Sequence, residues 1–181
     1  MLMWPRPSLL RPLGRDTQAT AAIEFAGAAM LLVVLLLNAV DLSYYEYRRM
    51  EVENAAEAGA QAAWSTCNDP TTMLPAMQNC ANLNTAITTA IQSTSLGAAV
   101  SLATGYPVEG YYCVSASNTL QSVGTLSSRP ADCSATGNPN ASPGDYIQVG
   151  VTLKYAPLFG ITVMSAWGIS SISMTSWMRL G

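Results

Sequence analysis

An acidic residue, Glu24, lies within a long apolar stretch near the start of the chain. Between Ala19 and Val40 only Thr20, Glu24 and Asn38 are polar. A carboxylate at the centre of a membrane-spanning helix costs about 2.5 to 3.5 kcal/mol, so an acid kept there usually has a function. The alternative is that Glu24 lies near one end of the segment and reaches the water interface. The sequence therefore leaves open a functional and a solvated position for this acid.

The chain contains four cysteines, all on the C-terminal side of the apolar stretch: Cys67, Cys80, Cys113 and Cys133. In an oxidising compartment they can form two disulfides, and three pairings are possible. The pairs Cys67–Cys80 and Cys113–Cys133 are favoured because each closes a short loop rich in turn residues. A zinc site is disfavoured because the chain has no Cys-x-x-Cys motif and no histidine. No metal or other cofactor is therefore expected.

The composition argues against most enzymes. Histidine, the commonest general base and metal ligand, does not occur among the 181 residues. There is no glycine-rich phosphate loop and no nucleophile elbow, and the acids Glu109, Asp132 and Asp145 are isolated rather than paired as glycoside hydrolysis requires. Because only 10% of the residues are charged, a basic surface for nucleic acid has little to be built from. The sequence predicts a non-enzymatic protein that binds neither nucleic acid nor a small-molecule substrate.

The apolar stretch is long enough to cross a bilayer, because 22 residues of helix extend about 33 Å. Arg6, Arg11 and Arg15 precede it without any acid, whereas all 11 acids follow from Asp16 onward. By the positive-inside rule the N-terminal tail is cytoplasmic and the C-terminal part is exported. The stretch is longer than the apolar region of a signal peptide and lacks a nearby small-residue cleavage site. We therefore expect a retained anchor at about residues 20–40.

The helical pattern continues beyond the membrane segment. Apolar and small residues recur at steps of three and four, and no proline occurs between Leu13 and Pro70. The recurring residues are Leu42, Tyr45, Arg49, Val52, Ala56, Gly59 and Ala63. One helix over about Thr20–Trp64 is predicted, roughly 67 Å long. Its alanine-rich outer half suits close packing, within the same chain or between chains.

The rest of the chain predicts a small sheet. A second helix is expected from about Leu83 to near Gly97, after which the apolar period changes to two. Strands are predicted at 100–103, 111–114, 145–155 and 172–178, and residues 115–143 are expected to form long loops. The expected fold class is α+β, with the long helix packed on a small antiparallel sheet. The apolar stretch 157–167 is too short to span a membrane, and we expect it to cap the core rather than contact a partner or the outer leaflet.

Several features together resemble a known family. A basic leader precedes Thr20-Ala21-Ala22-Ile23-Glu24-Phe25, then comes the apolar helix, then the alanine-rich stretch Asn54–Ala63. This combination resembles the TadE-like family, the pseudopilins of the tight-adherence (Flp, type IVc) pilus system. Residues 145–181 are similar to the closing strands of that family. The resemblance implies a pilin-like fold in three parts: a cleaved leader at 1–19, a long helix at 20–64, and an exported α+β domain at 65–181.

The resemblance also implies roles for particular residues. In the family a prepilin peptidase cuts before a segment whose fifth residue is glutamate, which places the cut between Ala19 and Thr20. Family members usually carry glycine where this chain has Ala19. Glu24, next to Phe25, would pair with the new amine of a neighbouring subunit and set the register of the helices. On one helix Glu24 lies about 6 Å along the axis from Thr20, and a low-dielectric setting strengthens such an attraction.

The implied function is that of a minor pilin-like component of the bacterial inner membrane, supporting assembly of adhesive Tad/Flp pili and hence adhesion and biofilm formation. The implied partners are the membrane, other pilins or pseudopilins, the pilus assembly machinery and the prepilin peptidase. The N-terminus would be cytoplasmic and the C-terminal domain periplasmic or extracellular, with the subunit either in the pilus or at its base. The alternative is an anchored periplasmic module that binds a ligand through the regions around Tyr111, Tyr112 and Trp167.

Overall fold

The computed structural model describes residues 17–67 and 69–181, with side chains from Thr20 onward. Its helices are α1 (Thr17–Thr66), α2 (Ala76–Asn79), α3 (Leu83–Gln92) and α4 (Val163–Ala166). Its strands are β1 (Val100–Leu102), β2 (Val108–Val114), β3 (Leu120–Val123), β4 (Gly144–Lys154) and β5 (Ser171–Arg179). The basic part of the predicted leader, with Arg6, Arg11 and Arg15, lies outside the described residues and stays a prediction.

The first helix is one continuous element. α1 contains 50 residues, which corresponds to about 75 Å of helix. It includes the predicted range Thr20–Trp64 and begins and ends slightly beyond it, which confirms the predicted helix. Its N-terminal half projects away from the rest of the chain, and Phe25 and Leu35 are 75% and 71% exposed. The globular part of the molecule packs around the second half of α1, from Asn38 onward.

The sheet is built around β4. Strand β5 pairs with β4 along nearly its whole length, from Tyr146 opposite Arg179 to Lys154 opposite Ser171. On the other side of β4, β2 pairs with its N-terminal half and β1 pairs with its C-terminal end. Strand β3 extends the sheet by pairing with β2. All five strands are antiparallel to their neighbours, so the fold is a long helix packed on a five-stranded antiparallel sheet, an α+β, pilin-like arrangement.

The core lies between α1, α3 and the sheet. The outer half of α1 contributes small residues that are fully buried, namely Val52, Ala55, Ala56, Ala60 and Ala63. They pack against Ile87 and Ile91 of α3 and against the inward face of β4, which holds Ile147, Val149, Val151 and Leu153. The predicted alternation of β4 is thus confirmed. The alanine-rich face of α1 packs within the same chain, which is one of the two alternatives that the sequence left open.

Gly59 marks the closest approach in this core. A Cβ atom added at Gly59 would lie 2.9 Å from Cγ2 of Ile91, 3.1 Å from Cγ1 of Val149 and 3.3 Å from Cγ2 of Ile87. Real Cβ atoms essentially never come closer than 3.0 Å to another heavy atom, so any larger residue at Gly59 would force α1, α3 or β4 to shift.

Some expectations were wrong in detail. Leu42 and Arg49 are about half exposed, so the buried stripe of α1 is shorter than its pattern indicated. Strand β3 lies in a stretch expected to be loops, because it is a short edge strand whose first three residues are exposed and which therefore shows no apolar alternation. Helix α3 ends at Gln92, before Gly97. The stretch 157–167 exposes most of its large apolar side chains and therefore caps little of the core.

Two disulfides close local loops. Cys67 pairs with Cys80, joining the end of α1 to the end of α2, with their Cα atoms 5.8 Å apart. Cys113 pairs with Cys133, and their Cα atoms are 5.6 Å apart. Together with Tyr111 and Val123, the second pair forms a small separate core behind β2. These are the two pairings that the short loops favoured.

Candidate functional site

Glu24 lies on the free apolar half of α1. Its side chain is exposed, as are those of its neighbours Ile23 and Phe25. Within the residues that the structure describes, Glu24 forms neither a hydrogen bond nor an ion pair. Thr20 lies four residues earlier, on the same side of the helix. The acid is therefore available to a group from outside this part of the chain.

The same half of α1 is long and apolar enough to span a membrane, and none of its most apolar window is buried inside the chain. In a core helix of a soluble protein most of that window would be covered. The peptide bond between Ala19 and Thr20 also falls within the first turn of α1. The structure thus places Ala19, Thr20, Glu24 and Phe25 together on one element, well separated from the sheet.

A polar clamp, formed by Asn38 and Asp41, joins the end of the apolar half to the connection between β4 and β5. Asp41 is fully buried, and its Oδ1 accepts a hydrogen bond of 2.8 Å from the backbone N–H of Leu158. Its Oδ2 accepts a hydrogen bond from the hydroxyl of Thr162. The Oδ1 atom of Asn38 accepts a 2.8 Å hydrogen bond from the backbone N–H of Val163. Burying a polar group costs free energy unless it is hydrogen-bonded, and these bonds satisfy both carboxyl oxygens of Asp41.

Sequence reasoning missed the polar clamp. The signal was present, because two side chains with acceptor oxygens, Asn38 and Asp41, stand three residues apart at the end of an apolar run. Residues at that spacing share one face of a helix. Their partners could not be found in the same way, because two of the three donors are backbone N–H groups more than 100 residues later in the chain.

Two acids that looked isolated in the sequence lie close together on the sheet. Glu109 of β2 is 6% exposed. Its carboxylate accepts hydrogen bonds from the backbone N–H groups of Ala76 and Met77, each with a nitrogen–oxygen distance of 2.6 Å. Asp145 of β4 is 1% exposed, and neither carboxylate oxygen has a hydrogen-bond partner within the described residues. Burial, followed by the nearby negative charge of Glu109, raises the pKa of Asp145 to about 7, while Arg129 acts in the opposite direction.

This raised pKa predicts a pH-dependent stability. The folded state binds the Asp145 proton more tightly than the unfolded state does. This proton therefore contributes fully to the free energy of unfolding below about pH 4, and the contribution is lost as the pH rises through 7. The free energy of unfolding should fall over that window by up to about 4 kcal/mol from this group. In Asp145→Asn the fall should be absent, and the variant should be the more stable protein at pH 8. Denaturant unfolding measured at several pH values checks this.

The matched control is Asp132→Asn, since Asp132 is exposed and the hydroxyl and backbone N–H of Ser134 lower its pKa instead. This control should keep the fall in stability seen in the unaltered chain. An equal fall in Asp145→Asn would show that another group is responsible.

The aromatic residues proposed for a ligand-binding module are not brought into one site. Tyr111 is buried at 5% exposure, and Tyr112 packs edge-on against Tyr146 and Trp177. Strand β2 pairs with the N-terminal half of β4, whereas Trp167 follows the C-terminal end of β4 and lies against α1. These residues therefore provide no common surface for a ligand.

Comparison with known proteins identifies the element that carries Glu24. The family model described as TadE-like protein matches residues 19–61. Over these residues the first helix is similar to the TadE-like family. This TadE-like segment, residues 19–61, lies entirely within α1 and contains Glu24, both residues of the polar clamp, and Gly59. The match does not extend to residues 145–181, whose similarity to the family's closing strands stays a prediction. No curated protein and no solved structure matches the chain significantly.

Proposed function

We propose that this protein is a pseudopilin of a Tad/Flp pilus system, a non-enzymatic pilin-like subunit held in the membrane by a single pass of α1. The TadE-like segment supports the link to the pilus system, and the pilin-like fold is consistent with it. The subunit acts in assembly of adhesive pili, and through them in adhesion and biofilm formation. Its partners are other pilins or pseudopilins, the pilus assembly machinery and the prepilin peptidase.

One observation carries this proposal: the exposed acid Glu24 on a free apolar helix, four residues after Thr20. Cleavage between Ala19 and Thr20 would create a cationic amine at Thr20. In hydrocarbon, an isolated carboxylate is costly and an opposite charge at close range is strongly attractive. Glu24 of one subunit therefore pairs with the amine of its neighbour, with Phe25 packing beside the pair. Only one axial stagger between adjacent helices brings the two charges together, so the pair sets the register.

The orientation follows from the same mechanism. The leader, with its three arginines and no acid before Asp16, remains in the cytoplasm, where the prepilin peptidase removes it. The globular part lies on the periplasmic or extracellular side of the inner membrane, where the two disulfides can form. It contacts other subunits while α1 is recruited laterally within the membrane.

The first test is the N-terminus of the protein from cells with an active prepilin peptidase. We expect the mature chain to begin at Thr20, measured by N-terminal sequencing or intact mass. The Ala19→Gly variant should be processed to a greater extent, because it restores the residue that family members usually carry before the cut. The same chain expressed without the peptidase is the control and should keep its leader. An intact leader in peptidase-positive cells would contradict the processing step.

A further inference from the structure

The connection between β4 and β5 carries an unusual number of exposed apolar side chains. Ile161 and Trp167 are 73% and 70% exposed, and Leu158 and Val163 are about half exposed. The connection comprises residues 155–170. Within it, Tyr155, Thr162 and Met164 are buried and the others are exposed or partly exposed. Surface connections are normally polar, so an apolar cluster of this kind marks a surface that is covered in the working protein.

The polar clamp fixes this connection at one level along α1. Three hydrogen bonds hold Leu158, Thr162 and Val163 to Asn38 and Asp41, and one of the two acceptor residues is fully buried. The connection therefore cannot move along the helix without leaving a buried carboxylate unsatisfied. Its exposed apolar side chains keep a constant depth relative to the apolar half of α1.

At that level the connection and the helix share one apolar surface. Leu35, Ala39 and Leu42 of α1 line a crevice of about 430 Å³ together with Val163, Met164 and Trp167. Leu31, Leu32 and Leu36 extend the exposed apolar surface of α1 from this crevice toward Glu24. The apolar surface of the connection is thus continuous with the surface that faces lipid in the proposed anchor.

Aromatic residues mark the opposite boundary of this surface. Tyr155 packs against Tyr44 and Tyr45 of α1, with ring centroids 6.0 Å and 5.3 Å away. Tyrosine and tryptophan are enriched where a membrane protein crosses from hydrocarbon to water, because their rings are apolar and their polar tips remain hydrated. Tyr155 itself is buried in the core, so the aromatic residues that can reach such a boundary are the exposed Trp167 and the partly exposed Tyr44 and Tyr45. They lie near the end of the apolar run of the helix at Val40.

We propose that the β4–β5 connection is a second membrane contact, with Ile161 and Trp167 inserted between the headgroups and acyl chains of the leaflet from which α1 emerges. The inference rests on the membrane anchor of the proposed function and adds a peripheral lipid-binding surface to it. Two contacts, one spanning and one interfacial, hold the globular part at a fixed tilt above the bilayer. A second protein chain is the rival occupant, and the test below separates it from lipid.

The experiment measures the depth of single tryptophans in the full chain reconstituted in phospholipid vesicles. Trp4, Trp64 and Trp177 are replaced by phenylalanine, so that Trp167 is the one remaining fluorophore. Vesicles contain lipids brominated either near the headgroup or near the end of the acyl chain. We expect brominated lipids to reduce Trp167 emission, with the greater loss for bromines near the headgroup.

Two control variants make the result decisive. A chain with Trp64 alone should show no quenching, since Trp64 lies about 35 Å beyond Asp41 along the helix. A chain whose only tryptophan is introduced by Leu31→Trp, at an exposed position outside the crevice, should be quenched if α1 spans the membrane. Quenching of that control without quenching of Trp167 would overturn the second contact and leave the anchor intact.

The remaining outcomes also count against the proposal. If neither the chain with Trp167 alone nor the chain with the tryptophan introduced into α1 were quenched, the anchor and the contact would be overturned together. Trp167 emission that depends on protein density but not on bromine would assign the surface to a second copy of the chain. Quenching of Trp64 as well would mean that the globular part lies flat on the bilayer, which contradicts the proposed depth.

Discussion

Replacing Gly59 by valine is expected to destabilise the globular part of the molecule strongly. The first added atom already lies 2.9 Å from Ile91, and the two further methyl groups must enter space held by Ile87 and Val149. All three neighbours are buried, so the helix must move away from α3 and β4 together. Overpacking of this kind costs about 1 to 3 kcal/mol for single methylenes and more for a branched side chain, which is a large part of a typical domain's stability. Thermal unfolding followed by near-UV circular dichroism measures the loss.

The matched control is Gly27→Val in the same helix, because a Cβ at Gly27 meets nothing within 4 Å. This control should leave the unfolding of the globular part unchanged. Gly59→Ala should lie between the two, because the clash of its Cβ is partly offset by a gain in helix propensity of about 1 kcal/mol. Equal melting of Gly59→Val and the unaltered chain would show that α1 does not pack at the distance seen here.

Replacing Glu24 by glutamine is expected to abolish pilus assembly while leaving membrane insertion intact. The amide keeps the size of the side chain but removes its charge, so the proposed pairing with the amine of Thr20 in a neighbouring subunit is lost. Insertion should improve if anything, because an amide in hydrocarbon costs less than a carboxylate. Loss of even 1.4 kcal/mol per contact lowers each association about tenfold, and assembly multiplies this loss over many contacts. Pilus counts by electron microscopy and the membrane fraction by immunoblot give the two readouts.

Glu57→Gln is the control for this experiment. Glu57 is an exposed acid on the same helix, but it lies on the globular part and outside the proposed membrane segment. It should show normal pilus counts. Glu24→Ala should behave as Glu24→Gln does, because the charge rather than the shape is removed in both. Normal piliation in both Glu24 variants would refute the assembly role of this acid.

The sequence predicted the long helix and the central strand well, since both carry a clear period. α1 has no proline over 50 residues, and β4 alternates from Ile147 to Leu153 because one face is buried against α1. β3 could not be predicted, because its position depends on pairing with β2 and not on its own apolar pattern. Short elements of this kind are decided by tertiary contacts.

The sites divide in the same way. The two disulfides could be predicted from the sequence, because cysteines around short loops are a local signal. The acid Glu24 in an apolar run is also a local signal, and its role stays a prediction. The closeness of Glu109 and Asp145, and the bonds from Asn38 and Asp41 to the β4–β5 connection, depend on strand register and on contacts far apart in the chain. The prediction that the stretch 157–167 caps the core was wrong, because its exposure depends on where the polar clamp holds it.

The polar clamp and the unbroken α1 together fix a direction as well as a depth. Each residue of an α-helix turns by about 100° around the axis, so Glu24 projects at a constant azimuth relative to the sheet. One residue inserted between Glu24 and Asn38 would rotate the acid by about 100° while advancing it by only about 1.5 Å. A neighbour that captures Glu24 therefore also dictates which side of the globular part faces outward. In the proposed assembly, the rotation of the helix about its axis thus determines which surface of each subunit faces outward.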